Sequence, residues 1–268
     1  MDTPFSLEML HKIAGTHSEP LFLSPPWMSG GHTIEKANGT ITYISYRGGL
    51  YGVTCAHIYD YQFSSNPPKW LTVHGLQRVI YQFGFFDQSG YKSLFRSLRL
   101  SDPSLPDIAI VRLDAAFASI NMEAKGKIAI DLDSWIEPTW ADLKCPVAFG
   151  YPTEHKTESE GLVQAPLISV TAELTRPIGP NDVSFLMASS LEQENSYYFS
   201  GMSGGAVYCH FADAPPSVVG VVFEGSPGSS IEWQNRTEES FYTREDIQIR
   251  AHKLTPDIFQ SWLSIAGF

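Results

Sequence analysis

Cysteine is scarce in this chain, with only Cys55, Cys145 and Cys209 among 268 residues. Three thiols are too few for a disulfide scaffold, and no C-x-x-C spacing marks a zinc site. The eight histidines are scattered, without an H-E-x-x-H or His-x-His pair, so no metal site is expected. Positive charge is also in deficit. Eighteen Lys and Arg against 29 Asp and Glu leave a net charge of −11, which argues against a nucleic-acid partner because phosphates would be repelled. No apolar run approaches the ~20 residues of a membrane-spanning helix, so membrane insertion is not expected. The start, Met1-Asp2-Thr3-Pro4-Phe5, lacks the basic and apolar stretches of a secretory signal, and a cytoplasmic location is the corresponding expectation. Internal repeats and low-complexity tracts are missing too.

What is present is a soluble composition, 43% apolar and 13% aromatic, long enough to bury a sizeable core. Phe5, Leu7, Met9, Leu10 and Ile13 carry the three- and four-residue spacings of a short amphipathic helix that would start at Thr3-Pro4 and pack on the outside of the main fold. From Gly39 the texture changes. Thr40–Tyr46 is rich in β-branched and aromatic residues, and Arg47-Gly48-Gly49 turns it into Leu50–Thr54, a hairpin pattern. Further strands are predicted at Trp70–Val73, Val79–Phe83, Ile108–Leu113, Pro146–Phe149, Leu167–Leu174, Ser184–Ala188, Ala206–His210, Ser217–Phe223 and Ser240–Tyr242. Short strands broken by Gly, Pro and Asn turns point to an all-β barrel or sandwich. Asp114 to Leu143 is less regular and reads as a link between two halves. Pro256–Ile265 reads as a closing helix, with Thr255 as its N-cap and Pro256 in the first position.

Three local patterns carry chemistry. Gly201-Met202-Ser203-Gly204-Gly205 sets a hydroxyl in a turn of small residues, where backbone can approach a substrate closely. Alone it is also an ordinary turn between two strands. His57 follows the half-apolar Gly52–Ala56 and on its own would be a hydrogen-bonded edge residue. Asp107 follows Ser104-Leu105-Pro106 and opens the apolar run Ile108–Val111; an acid there also suits the cap of a turn, and Asp102 and Asp114 are nearby competitors. Taken together, hydroxyl, imidazole and carboxylate are the parts of a nucleophilic triad. Serine needs a base to take its proton, and the base needs a third group to hold its tautomer.

The order His, Asp, Ser, with Thr54-Cys55-Ala56-His57, Asp107-Ile108-Ala109-Ile110 and Gly201–Val207, resembles the trypsin/chymotrypsin-like serine proteases. The resemblance spans roughly Gly39 to Arg244. It implies two six-stranded antiparallel β-barrels of the chymotrypsin type with short N- and C-terminal helices. The implied division is an N-terminal helical extension (1–30), a first barrel with His57 and Asp107 (31–133), a second barrel with Ser203 (134–250) and a closing helix (251–268). It further implies a serine endopeptidase working through an acyl-enzyme on Ser203, with His57 as base, Asp107 as its orienter and the Gly201 and Ser203 N–H groups as oxyanion donors. Phe223-Glu224-Gly225 resembles the strand that pairs with a peptide substrate, Tyr197 the base of the specificity pocket, and Phe241-Tyr242-Thr243-Arg244 a later strand beside it. No cofactor is implied. The expected partner is a protein or peptide substrate, with a regulatory protein as a further expectation.

Departures narrow the resemblance. Met202 stands where secreted zymogen-derived members carry an aspartate that pairs with a newly cut N-terminus, so the chain is closer to intracellular or bacterial members. Phe223 stands where many relatives have a serine supporting the aspartate. Tyr197 is not the aspartate of a trypsin-type pocket, while Glu224, Glu238 and Glu239 either attract a basic side chain or face solvent. Cys209 falls at a disulfide position of secreted relatives but Cys145 is offset by one residue from its partner, and free thiols are expected. Two other readings stay open: a catalytically inactive member that binds a peptide or protein, and an esterase acting on small molecules.

Overall fold

A computed structural model describes residues 6–24, 38–64, 68–74, 80–100, 102–143, 145–159, 162–190, 198–211, 214–227 and 247–268. The N-terminal half builds one sheet from β1 (Ser18–Ser24), β2 (Asn38–Tyr46), β3 (Gly49–Thr54), β4 (Trp70–His74) and β5 (Ile80–Gln82). A projecting hairpin follows, β6 (Gly84–Asp87) and β7 (Gly90–Ser93), then β8 (Arg96–Ser97), β9 (Ala109–Leu113) and β10 (Ile130–Asp131). The strand order is β5-β4-β1-β2-β3-β9-β8, with β10 lying parallel beside β2. Hydrogen bonds from Phe83 N–H to Leu71 C=O (2.8 Å) and from Leu94 N–H to Phe83 C=O (3.0 Å) draw the two ends together.

The second sheet contains β11 (Val147–Gly150), β14 (Ile168–Thr171), β15 (Glu173–Leu174), β16 (Ser184–Ser189), β17 (Ala206–Phe211), β18 (Ala214–Ser226) and β19 (Ile247–Lys253), while β12 (Thr157–Ser159) and β13 (Leu162–Gln164) pair apart from it. Its order is β14-β11-β17-β18-β19-β16-β15. The two ends, β14 and β15, are separated only by Ala172, so the sheet curls back on itself. This is the two-barrel architecture of the chymotrypsin type. Among the described residues the second barrel has six strands when β14 and β15 are counted as one bent strand, and the first sheet has eight, two of them the two-residue strands β8 and β10.

Three apolar clusters explain the arrangement. One fills the first barrel (Leu21, Ile41, Tyr43, Val111, Phe117) and one the second (Ala148, Met187, Met202, Val207, Val222). The third lies between them and is sealed by two helices, α1 (Leu7–His17) and α4 (Pro256–Ala266). Period-two alternation divides several central strands between two clusters. Along β9, Ala109, Val111 and Leu113 face the first barrel's interior, and Ile110 faces the inter-barrel cluster. Along β18 a register shift against β17 lets Val218 and Val221 face one cluster, and Val219 and Val222 the other.

Helix α4 begins as expected, with the Thr255 side chain accepting from Ile258 N–H (3.2 Å), and ends where Gly267 turns left-handed at φ +75°. Helix α1 is capped by Ser6 rather than starting at Thr3-Pro4, and it buries Leu10 and Ala14 while Leu7 and Met9 stay exposed. Two strands depart from the expected division. Ser18–Ser24, placed within the 1–30 extension, is β1 and lies between β2 and β4. Strand β19, absent from the sequence reading, crosses the 250/251 boundary. The expected strand at Ser240–Tyr242 lies outside the described residues.

All three thiols are free, with Cys55 and Cys209 buried and Cys145 exposed. Burial pushes the Cys209 thiol up to about 11 and Cys55 well above its usual range. One thiol, Cys145, should therefore react promptly with a thiol reagent in native protein, the other two only on unfolding; native mass spectrometry of the alkylated protein counts them.

Candidate active site

The turn carrying Ser203 is shaped by glycine and held by threonine. Gly201 and Gly204 adopt φ +98° and +91°, and a Cβ on Gly204 would overlap the Thr40 carbonyl oxygen. Strand β2 of the first barrel reaches across to this turn. Thr40 N–H donates to Ser203 C=O (2.8 Å), Thr40 Oγ1 to Gly201 C=O (3.0 Å) and Thr42 Oγ1 to Gly204 C=O (2.7 Å). Ser200 C=O is taken by Thr153 N–H (2.7 Å) and Met202 C=O by Gly205 N–H (2.8 Å). Among the described residues neither Gly201 N–H nor Ser203 N–H has a protein acceptor. Met202 is fully buried in the second barrel's core, so apolar packing anchors this position of the turn.

His57 lies on a short helix, α2 (Ala56–Tyr61), rather than at a strand end; the strand before it stops at Thr54. Its ring and backbone both meet Asp107: Nδ1 is 2.8 Å from Oδ2, and the His57 N–H donates to Oδ1 at 3.0 Å. The pair fixes the imidazole plane and leaves Nε2 to the cleft. Burial alone would raise the Asp107 carboxyl. The hydrogen bonds and charge of His57, with Arg99 adding, hold it below the ordinary aspartate value. Arg99 Nη1 lies 3.6 Å from Asp107 Oδ2, and its Nε donates to Leu105 C=O (3.1 Å). The competing acids are occupied elsewhere. Asp102 accepts from Ser104 N–H (2.8 Å), and Asp114 caps α3 (Ala115–Phe117) through Phe117 N–H (2.7 Å).

His57, Asp107, Ser203, Phe223, Glu224 and Gly225 line one open cleft of roughly 420 Å³ with Arg99, Phe199 and Ser200. The Ser203 hydroxyl donates to Phe223 C=O (3.3 Å), and among the described residues no hydrogen bond joins it to His57. The Phe223–Gly225 segment lies beyond Val221, the last β18 residue paired with β17, while its other edge is paired with β19. Glu224 is exposed and ion-paired with Arg250 at 2.9 Å. A hydroxyl, an oriented imidazole and two N–H groups without an acceptor among the described residues are the kinds of groups that acyl transfer uses.

Tyr197, Glu238, Glu239 and the segment 241–244 lie outside the described residues. The described partner of Phe223–Gly225 is β19. Sequence reasoning missed Arg99, Cys55 and His252 at this site. Arg99 had no local signal, but His252 sits on Ile247–Lys253, whose apolar alternation (Ile247, Ile249, Ala251) was legible. Cys55 lies under the Ser203 turn, its thiol donating to Val222 C=O at 3.2 Å. Among the described residues no group of three His, Cys, Asp or Glu is arranged to hold a metal ion. Nor is any described helix long and apolar enough to cross a membrane.

Neither a family model nor a curated protein matches the chain. Among solved structures it is similar to a thermostable serine protease, AL20, from an extremophilic microorganism. The identity is 12% and the TM-score 0.48, over 94% of this chain and 98% of that one.

Two measurements bear on this geometry. Gly204→Ala combines a left-handed backbone with a backbone overlap, so urea unfolding should show a loss of about 2–4 kcal/mol. The lowered Asp107 carboxylate stabilises the fold above its unfolded value, about 3.9. That contribution fades as pH falls from there through the lower folded value. Between about pH 6 and about pH 3 the wild type should lose more unfolding free energy than Asp107→Asn.

Proposed function

We propose that the chain is a serine endopeptidase. The observation that carries this reading is the two-point grip of Asp107 on His57, at 2.8 and 3.0 Å, in the cleft that also holds Ser203. In this reading the substrate lies along Phe223–Gly225 as an added strand. Ser203 leaves the Phe223 carbonyl and attacks the scissile carbonyl, while His57 takes the hydroxyl proton. The tetrahedral oxyanion is met by the Gly201 and Ser203 N–H groups, which the hydrogen bonds of neighbouring carbonyls leave available. His57 then gives its proton to the leaving amine, and water hydrolyses the Ser203 ester by the same path. Asp107 holds the tautomer and favours the imidazolium.

One observation favours the alternative of an inactive peptide-binding member: the Ser203 hydroxyl is turned to Phe223 rather than to His57. In substrate-free sites such hydrogen bonds often tighten only once substrate binds. The burial of Met202 supports competence without N-terminal cleavage.

The test is labelling of full-length protein with a fluorophosphonate, its N-terminus verified by mass spectrometry, together with peptide-hydrolysis assays. Wild type should label on Ser203. Ser203→Ala and His57→Ala should fold yet hydrolyse peptides roughly 10⁶-fold more slowly, as expected for groups acting as a unit. Binding of peptides without labelling would favour the inactive reading.

A further inference from the structure

Asp107 occupies an awkward place in the backbone. Ile108 N–H donates to Pro106 C=O (2.8 Å), closing a three-residue turn with Asp107 at its apex. The apex N–H points away from that turn and needs an acceptor from elsewhere, because Asp107 is buried. The acceptor comes from the other barrel: His252 Nε2, on β19, lies 3.0 Å from Asp107 N.

We propose that His252 is a positioning residue for the reaction, bracing Asp107 and Phe223 from behind so that His57 and Ser203 keep their register across the barrel interface. The inference rests on the protease reading and deepens it. The imidazole has two connections. Through Nε2 it holds the Asp107 backbone, whose carboxylate grips His57. Its face stacks on Phe223 with ring centres 4.3 Å apart and planes 23° from parallel, and the Phe223 carbonyl receives the Ser203 hydroxyl. Trp262 of α4 closes the edge at 6.3 Å.

Only a neutral ring with a bare Nε2 can accept from Asp107. Burial pushes His252 down to about 4, the nearby Asp107 carboxylate opposing and Arg99 assisting, so the ring is neutral at physiological pH. The proton then sits on Nδ1, which is buried and finds no acceptor among the described residues. A buried donor left unpaired costs stability. That loss offsets the gain from pairing the buried Asp107 N–H, so net stability gives little reason for a histidine here, whereas an acceptor aimed at Asp107 does.

The experiment compares wild type, His252→Phe and His252→Gln. Phenylalanine keeps a ring against Phe223 but has no acceptor; glutamine restores an acceptor oxygen. Expected for His252→Phe are an unchanged thermal midpoint, a fluorophosphonate labelling rate lower by roughly 10- to 100-fold, and faster hydrogen exchange at the Asp107 amide by NMR. The His57 Nδ1–H resonance should also shift. His252→Gln should recover part of the rate and of the amide protection. Wild-type labelling and exchange in His252→Phe would overturn the proposal. So would equal losses of stability and rate in both variants, which would mark a merely structural role. If the wild type fails to label, the protease reading falls, and Asp107 amide exchange still decides whether His252 braces that residue.

Discussion

The site depends on one set of hydrogen bonds, those by which Thr40 and Thr42 of β2 take the carbonyls of Gly201, Ser203 and Gly204. Both threonines are fully buried, so each bond forms where an unpaired polar group would be costly. Their effect is directional. The carbonyls of this turn are committed to the protein, whereas among the described residues the N–H groups of Gly201 and Ser203 have no acceptor. The bonds also join the barrels beside the cleft that Ser203 of one and His57 of the other both line. Thr54 Oγ1 donates to Thr40 C=O (2.9 Å), tying the strand that leads to His57 into the same array.

Electrostatics around Asp107 follow from this joint. The acid is buried, yet its carboxylate stays charged because His57 presents two donors and Arg99 a nearby cation. Tyr61 lies edge-on to His57 at 6.0 Å and shields one side of the ring. A second buried acid, Glu19 on β1, is also surrounded by donors, away from the site. Its Oε2 accepts from Lys125 (2.9 Å), Tyr43 (3.1 Å) and Asn121 (3.3 Å), fastening the helical turns after α3 to the first barrel.

Much of the fold was legible because strands facing a core alternate. Thr40–Tyr46, Leu50–Thr54, Ile108–Leu113 and Ser184–Ala188 lie where their patterns predict, within a residue or two. Ser18–Ser24 was not legible. It contains Glu19 and Pro20 and is buried along nearly its whole length, so it shows no polar face from which a period could be read. The length of β18, Ala214–Ser226, was also underestimated, because Pro215 and Pro216 look like a break when read alone.

Three motifs in an order that resembles the trypsin/chymotrypsin-like serine proteases were enough to nominate His57, Asp107 and Ser203, since hydroxyl, imidazole and carboxylate are chemical identities that side chains carry anywhere. The glycines at 201 and 204 likewise declared a turn, because few other residues tolerate a left-handed backbone. Choosing Asp107 over Asp102 and Asp114 on structural grounds required the fold, as all three are aspartates near strand ends and only tertiary contacts decide which meets a histidine. Arg99, His252 and the β2 threonines belong to the same class. Each acts through a hydrogen bond or charge across a gap in sequence, set by how the barrels pack, and local pattern carries no information about such distances.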